Sequence, residues 1–239
     1  PENFGLVFPQ IFTDALLGRM DRNAKVVFRF LDDDDLKSDV IKTYVTLAQA
    51  KAKIAYQEHC RISELLVAGE SAHLEYKSTL RTTASTGEVF KPLESASVKT
   101  VAAFANAPDG GTLLIGVADD GSVHGLASDY ASLHKDGKDD RDLFQLHLAQ
   151  VLINALGETA ASSVSVQLHT VDGHDLCRVH VPPSSFPVDA HVVVDRKGQL
   201  EKKTAFFVRI GNGTRDITDA TERQRYVAQR WGSRAIDSS

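Results

Sequence analysis

The spacing of apolar residues changes along the chain and predicts where helices and strands lie. Between residues 73 and 77 apolar and polar residues alternate, as they do in a half-buried strand. Residues 98–105 are apolar at helical spacing, and this helix is predicted to end at Asn106, just before a Pro-Asp-Gly-Gly turn. The nearly continuous apolar run at residues 112–117 predicts a strand in the centre of a sheet.

Similar patterns continue as far as residue 232 and indicate an α+β fold with a mixed β-sheet and flanking helices. The stretch 78–88 is polar and is predicted to be a flexible loop or a hairpin, and 126–140 is a second polar stretch. A Val-Asp-Gly-His sequence between two apolar runs predicts a hairpin. The remaining predicted elements are a helix at 62–69 that starts at a Ser63 cap, a helix at 143–156, hairpin strands at 164–169 and 175–181, a last strand at 205–210 and a closing helix at 218–230.

Residues 1–61 are predicted to form a separate helical segment in front of this domain. The run Asp32 to Asp35 precedes an apolar stripe of helical spacing, where negative charge suits a helix N-terminus, so capping is favoured over metal binding. The chain starts at Pro1 rather than at a methionine, which suggests a piece of a longer protein. The predicted domains are therefore 1–61, 62–232 and a tail at 233–239.

Composition places the chain among soluble globular proteins, with 42% hydrophobic and 25% charged residues. No apolar run approaches the length of a membrane span and no signal peptide is visible, so no membrane partner is expected. The two cysteines, Cys60 and Cys177, lie far apart, which indicates neither a disulfide framework nor a zinc site. These features favour a reducing cytoplasm.

The charge distribution is uneven. The formal net charge is −5, but residues 195–234 contain ten basic and five acidic residues, so this segment carries +5 and the rest of the chain −10. If folding gathers these charges on one face, they form a local basic surface suited to a polyanion. The alternative is a solvated helix and a Lys-rich hairpin turn.

Acidic residues cluster around the two strands predicted first. Glu75 and Lys77 share the polar face of the strand at 73–77, and Glu70 lies at its entrance. Asp119 follows the central strand in an Ala-Asp-Asp-Gly turn. Carboxylates at the ends of adjacent strands often hold a divalent metal, which can activate water for phosphodiester hydrolysis. The alternative is that Glu75 and Lys77 form a surface ion pair.

Four segments together resemble the AlbA-like domain of the Schlafen family. They are ESAHLEYK at residues 70–77, KTVAAFANAPDGGTLLIGVADDGSVHGL at 99–126, and the later segments VHVPPSSFPV and FFVRIGNGTRDIT. The resemblance covers residues 62–232. It implies the mixed-sheet fold and a nucleic acid, DNA or RNA, as the partner. The family contains both plain nucleic-acid-binding modules and endonucleases, so it leaves catalysis open.

The resemblance also suggests roles for individual residues. Glu70, Glu75 and Asp119 match the three acidic positions that nuclease members use, which implies Mg²⁺ or Mn²⁺ as a cofactor, with Lys77 beside the phosphate. From the residues themselves, Arg209 and Arg215 are phosphate-binding candidates because they flank a Gly-Asn-Gly turn. For Arg209 the alternative is an ion pair with a carboxylate at the edge of the core. The full predicted nucleic-acid-binding set is Lys77, Arg81, Lys202, Lys203, Arg209 and Arg215.

The sequence also allows other partners and functions. The first residues are similar to the C-terminal helical segment of type I restriction enzyme R subunits, which implies a bacterial-type defence protein with a helicase or restriction portion in the same parent chain. A protein–protein docking module without nucleic-acid binding is the alternative function. ATP binding is a minor one, because the glycine pairs match no phosphate-binding fingerprint. Homo-oligomers remain open.

Overall fold

The computed structural model describes residues 61–83 and 86–232. The chain divides into two compact units, Pro1–Arg61 and Ile62–Ser239. The N-terminal helical segment, its aspartate run and its similarity to restriction enzymes lie outside the described residues, and so does the tail at 233–239. The architecture is therefore that of the second unit.

Strands and helices alternate irregularly through this unit, which confirms the predicted α+β class. A helix at residues 61–68 comes first, and Gly69 ends it with a positive φ of 73°. The elements that follow are β1 (Leu74–Lys77), α1 (Lys91–Asn106), β2 (Gly111–Ile115), α2 (Ala127–Leu133), α3 (Asp140–Leu156), α4 (Glu158–Ala161), β3 (Ser165–Val171), β4 (His174–Val181), β5 (Ala190–Arg196), β6 (Gln199–Ala205), β7 (Phe207–Ile210), β8 (Gly213–Asp216) and α5 (Ala220–Trp231).

A four-stranded mixed sheet in the order β1-β2-β4-β3 forms the centre of the unit. Strand β2 runs parallel to β1 and antiparallel to β4, and all five of its residues are buried. This confirms the prediction that the apolar run is a central strand. The hairpins β5–β6 and β7–β8 form two further small sheets.

Each face of the main sheet has its own apolar core. On one face α1 and α3 pack against the sheet, with Phe104 and Phe144 fully buried between them. On the other face Tyr76 and Leu114 pack against the helix at residues 61–68. Because β1 alternates, Glu75 and Lys77 point to the α1 side, opposite Tyr76.

Helix α1 ends at Asn106, as its sequence predicts, and this side chain joins the helix to later parts of the chain. Asn106 is fully buried. Its amide nitrogen donates to the carbonyl oxygens of Val188 at 2.9 Å and Phe207 at 2.8 Å, and its amide oxygen accepts from the Val188 N–H at 2.9 Å. The carboxamide suits this position because its NH₂ group can donate two hydrogen bonds while its oxygen accepts a third.

Gly111 lets the Phe104 ring lie directly against the start of β2. A Cβ atom at position 111 would lie 2.3 to 2.5 Å from three ring carbons, which is far inside van der Waals contact. The second glycine of the Pro-Asp-Gly-Gly turn is therefore needed for close packing between helix and strand.

Some boundaries differ from those expected from the sequence. The segment predicted as one last strand at 205–210 is divided between β6 and β7, and β8 follows it. Strand β6 lacks the alternation of apolar and polar residues that would predict a strand, because only its last residue is buried. Ser63 lies inside its helix, since residue 61 is already helical. Within residues 61–83 and 86–232, no helix is long and apolar enough to cross a membrane.

Candidate functional site

The predicted Glu75–Lys77 pair is present, and a third charged residue joins it. The carboxylate of Glu75 accepts from the Lys77 ammonium at 2.6 Å and from the Arg209 guanidinium at 2.9 Å. The side chains of Glu75 and Arg209 are only 14% and 4% exposed, whereas that of Lys77 is 28% exposed at the rim. The cluster is therefore largely removed from solvent. It contains two cations and one anion, so its net charge is positive.

Arg209 is held rigidly by several further contacts. One terminal nitrogen donates to the carbonyl oxygens of Ser71 at 2.6 Å and Asn212 at 2.9 Å, and the other donates to the Thr214 hydroxyl at 3.1 Å. The guanidinium lies 4.9 Å from the centre of the Phe104 ring, in cation–π range. Arg209 was predicted as a phosphate-binding candidate, but its guanidinium is engaged within the protein. The alternative, an ion pair with a carboxylate at the edge of the core, is confirmed.

The three predicted metal-binding carboxylates do not form one site. Glu70 accepts the backbone N–H of Tyr76 at 3.0 Å, while Glu75 lies on the α1 side of β1. Asp119 is exposed in the turn after β2. In the described part of the chain, no group of three or more His, Cys, Asp or Glu side chains is placed to hold a metal ion. In this arrangement the three carboxylates do not form a common site for Mg²⁺ or Mn²⁺.

The neighbouring Asp120 has a local role in the same turn. Its carboxylate accepts from the Ser122 hydroxyl at 2.6 Å and from the Ser122 N–H at 2.9 Å. These hydrogen bonds lower the pKa of Asp120 below its ordinary value, and the hydroxyl makes the larger contribution. The carboxylate therefore stays ionised and shapes the turn.

The candidate basic residues divide into buried and exposed groups. Lys202 on β6 and Arg215 on β8 are exposed, and among the described residues neither is in an ion pair. Lys203 forms an ion pair with Asp216 at 2.7 Å, which joins β6 to β8. Lys202 and Arg215 are the neighbouring residues on those two strands, so alternation directs both side chains away from the Lys203–Asp216 contact and towards solvent.

Lys99 on α1 lies near the Lys203–Asp216 ion pair, and no pattern in the sequence predicts this contact. Burial lowers the pKa of Lys99 first, and repulsion from Lys203 lowers it further, while the Asp216 carboxylate opposes the change. Lys99 therefore belongs to a mixed cluster of two lysines and one carboxylate where α1, β6 and β8 meet. A single lysine on an amphipathic helix does not reveal such a contact in the sequence, because only the fold brings the two hairpins beside α1.

Arg81 is engaged within the protein. Its Nε atom lies 3.3 Å from the Glu94 carboxylate, which also contacts His147 at 2.7 Å, and the side chains of Arg81 and Glu94 are each 15% exposed. This cluster links the polar loop after β1 to α1 and α3. Its geometry leaves Arg81 a poorer phosphate ligand than the exposed cations.

A buried carboxylate that the sequence did not reveal fixes the same loop. Asp129 is fully buried and accepts the backbone N–H groups of Leu80 at 2.8 Å and of Arg81 and Thr82 at 3.1 Å. The Thr82 hydroxyl donates to it at 2.8 Å. Asp129 therefore orders the chain that leaves β1. It lies in a polar stretch, where nothing distinguishes it from a solvated carboxylate.

These features define an α+β domain with a mixed sheet, a buried Glu75–Arg209 ion pair and exposed cations on its later hairpins. The chain belongs to the Schlafen, AlbA_2 family, whose model matches residues 70–218. A crystal structure of the DIP2311 protein from Corynebacterium diphtheriae is similar, with a TM-score of 0.42 and 19% identity over 66% of this chain and 24% of that one. This chain thus spans about a quarter of that protein. No curated protein gives a significant match.

Proposed function

We propose that residues 62–232 form a nucleic-acid-binding domain that contacts the phosphate backbone through its later hairpins. Membership of the Schlafen, AlbA_2 family supports binding of this class of partner. The observation that carries the proposed surface is the pair of exposed cations, Lys202 and Arg215, on two strands that the Lys203–Asp216 ion pair joins.

The charge balance of the chain favours a local rather than a general contact. The chain as a whole carries −5, so a phosphate backbone is repelled by most of its surface. Exposed lysine and arginine side chains can reach phosphate oxygens without breaking an internal ion pair, which Arg209 and Arg81 cannot. Phosphates are common to DNA and RNA, so this surface serves either polymer.

The proposed function is binding and does not include hydrolysis. Glu75 is engaged by two cations, and Glu70 by a backbone N–H, so neither carboxylate is directed at a shared metal position. Arg209 thus balances the charge of Glu75 at the position where the nuclease hypothesis places a metal ion.

A salt titration on one labelled oligonucleotide tests the proposed surface. Each phosphate contact releases a condensed counterion, so two contacts contribute about −1.8 to the slope of log affinity against log salt on duplex DNA, or about −1.4 on single strands. Replacing both Lys202 and Arg215 by glutamate should weaken binding and make the slope shallower by about that amount.

The matched control reverses two exposed lysines in the polar loop before α3. Lys135→Glu with Lys138→Glu makes the same change in net charge and should leave the slope unchanged. If both double variants change the affinity and the slope equally, the effect depends only on net charge, and the proposed hairpin surface is rejected. Absence of binding to DNA and RNA at low salt would favour a protein-docking module instead.

A further inference from the structure

Strand β3 forms one edge of the main sheet, and no described strand pairs with its outer side. Its sequence, Ser-Val-Gln-Leu-His-Thr-Val, contains no lysine, arginine, acidic residue or proline. Its register with β4 is continuous from Ser165 to Val171, so no bulge interrupts it. Edge strands of soluble proteins are usually protected by such charges, prolines or bulges. Within residues 61–83 and 86–232, β3 is therefore an edge that lacks these protective features.

The turn between β3 and β4 determines which backbone groups face outward. Its two residues, Asp172 and Gly173, have positive φ angles of 49° and 80°, as in a type I′ hairpin. In such a hairpin the residues on either side of the turn are hydrogen-bonded to each other, and the pattern then alternates along the strand. The N–H and C=O groups of Val166, Leu168 and Thr170 therefore point away from β4.

A groove with a mixed lining lies beside this edge. Its lining residues are Asp142, Gln145, Leu146 and Ala149 of α3 together with Val164 and Val166, and Leu146 is 68% exposed. An exposed leucine therefore lies close to the outward backbone groups of β3.

We propose that β3 is a dimerisation strand that pairs antiparallel with β3 of a second copy of this chain, about a two-fold axis at Leu168. In this register Leu168 lies opposite the partner's Leu168, and Val166 lies opposite the partner's Thr170. The outward groups of the two strands then form about six backbone hydrogen bonds. The two main sheets join into one.

The side chains favour a second copy over an unrelated strand because the register is self-complementary. Gln167 lies opposite the partner's His169, and no like charges face each other, because β3 carries no formal charge with histidine neutral. A two-fold axis perpendicular to the sheet keeps the same face of both copies together. The two grooves, each with its exposed Leu146, then lie on the same side of the joined sheet.

Sedimentation velocity of the whole chain over a concentration series tests this inference. The wild type should form dimers, and Val166→Lys or Leu146→Glu should weaken the dimer by about tenfold or more. Val166 is half-buried, whereas Leu146 is exposed, so Leu146→Glu keeps the test valid if Val166→Lys does not fold. The matched control is Leu200→Glu on β6, a leucine that is 54% exposed and should not affect assembly.

Amide hydrogen exchange locates the interface. The N–H groups of Val166, Leu168 and Thr170 should exchange slowly at high protein concentration and rapidly at low concentration. A chain that stays monomeric at about 100 μM, where micromolar affinity would give dimers, overturns the inference. A dimer in which these three amides exchange at the same rate at every concentration also overturns it, because another surface would then be responsible.

Discussion

Replacing Arg209 by methionine should lower the free energy of unfolding by about 3 kcal/mol, because it leaves a largely buried carboxylate without one of its two cations. Methionine keeps an unbranched apolar stem and removes the guanidinium, with its charge, its hydrogen bonds and its contact with the Phe104 ring. The change therefore isolates the electrostatic role of the guanidinium.

The magnitude follows from the burial and the contacts of this cluster. Removing one partner of a buried ion pair costs about 3 to 5 kcal/mol, and the cation–π contact adds about 0.5 to 2 kcal/mol. Exposures of 4% for Arg209 and 14% for Glu75 mean that solvent screens the pair little. Lys77 remains 2.6 Å from the carboxylate and keeps part of the compensation, which places the loss at the lower end, about 3 kcal/mol.

Urea unfolding followed by circular dichroism measures this loss, and the melting temperature should fall by roughly 6 to 12 °C for a domain of this size. The control is Arg215→Met on β8, an exposed arginine whose replacement should change stability by no more than about 0.5 kcal/mol. In the double variant Arg209→Met with Glu75→Gln, the loss in free energy of unfolding should be smaller than the sum of the losses in the two single variants, because the two side chains contact each other. Similar small losses for Arg209→Met and Arg215→Met would refute the reasoning.

Three further changes test other contacts by the same unfolding assay. Asn106→Leu should cost about 3 kcal/mol, because it leaves buried backbone groups unpaired, and a loss near zero would contradict that role. Gly111→Ala should cost about 1 to 3 kcal/mol, since the new methyl group overlaps the Phe104 ring; an unchanged midpoint would mean that the ring moves freely. Burial and a hydrogen bond to Asp175 raise the pKa of Tyr130, so the unfolded chain loses this proton first. Stability should therefore be retained up to about pH 10 and fall above it, more steeply than in Tyr130→Phe; equal slopes would contradict the assignment.

Local patterns were sufficient to predict the class of fold and its central elements. The end of α1 at Asn106 and the buried strand β2 follow from apolar spacing and a Gly-rich turn, which depend on neighbours in sequence. The family resemblance likewise rests on ordered local motifs, and the family match at residues 70–218 supports it. Strands β6 and β8 were missed because exposed polar strands lack a clear alternation. Strand β5 was also missed, although it contains three consecutive valines.

The site depended on contacts between residues far apart in the chain. The alternation in β1 predicts that Glu75 and Lys77 share a face, and they do. Arg209 lies more than a hundred residues later in the chain and contacts the same Glu75 carboxylate. This contact depends on how the β7–β8 hairpin packs on α1 and β1.

The sequence by itself determined which residues can form helices and strands, and which side chains carry the charge. Only the tertiary structure decided which charges are buried as partners and which remain available to a ligand. Arg209 and Arg215 flank the same turn, yet one is 4% exposed in an ion pair and the other is on the surface. In the β7–β8 hairpin Arg209 pairs with Thr214, the residue before Arg215, so alternation sends the two arginines to opposite faces. Long-range packing then determines which face is covered.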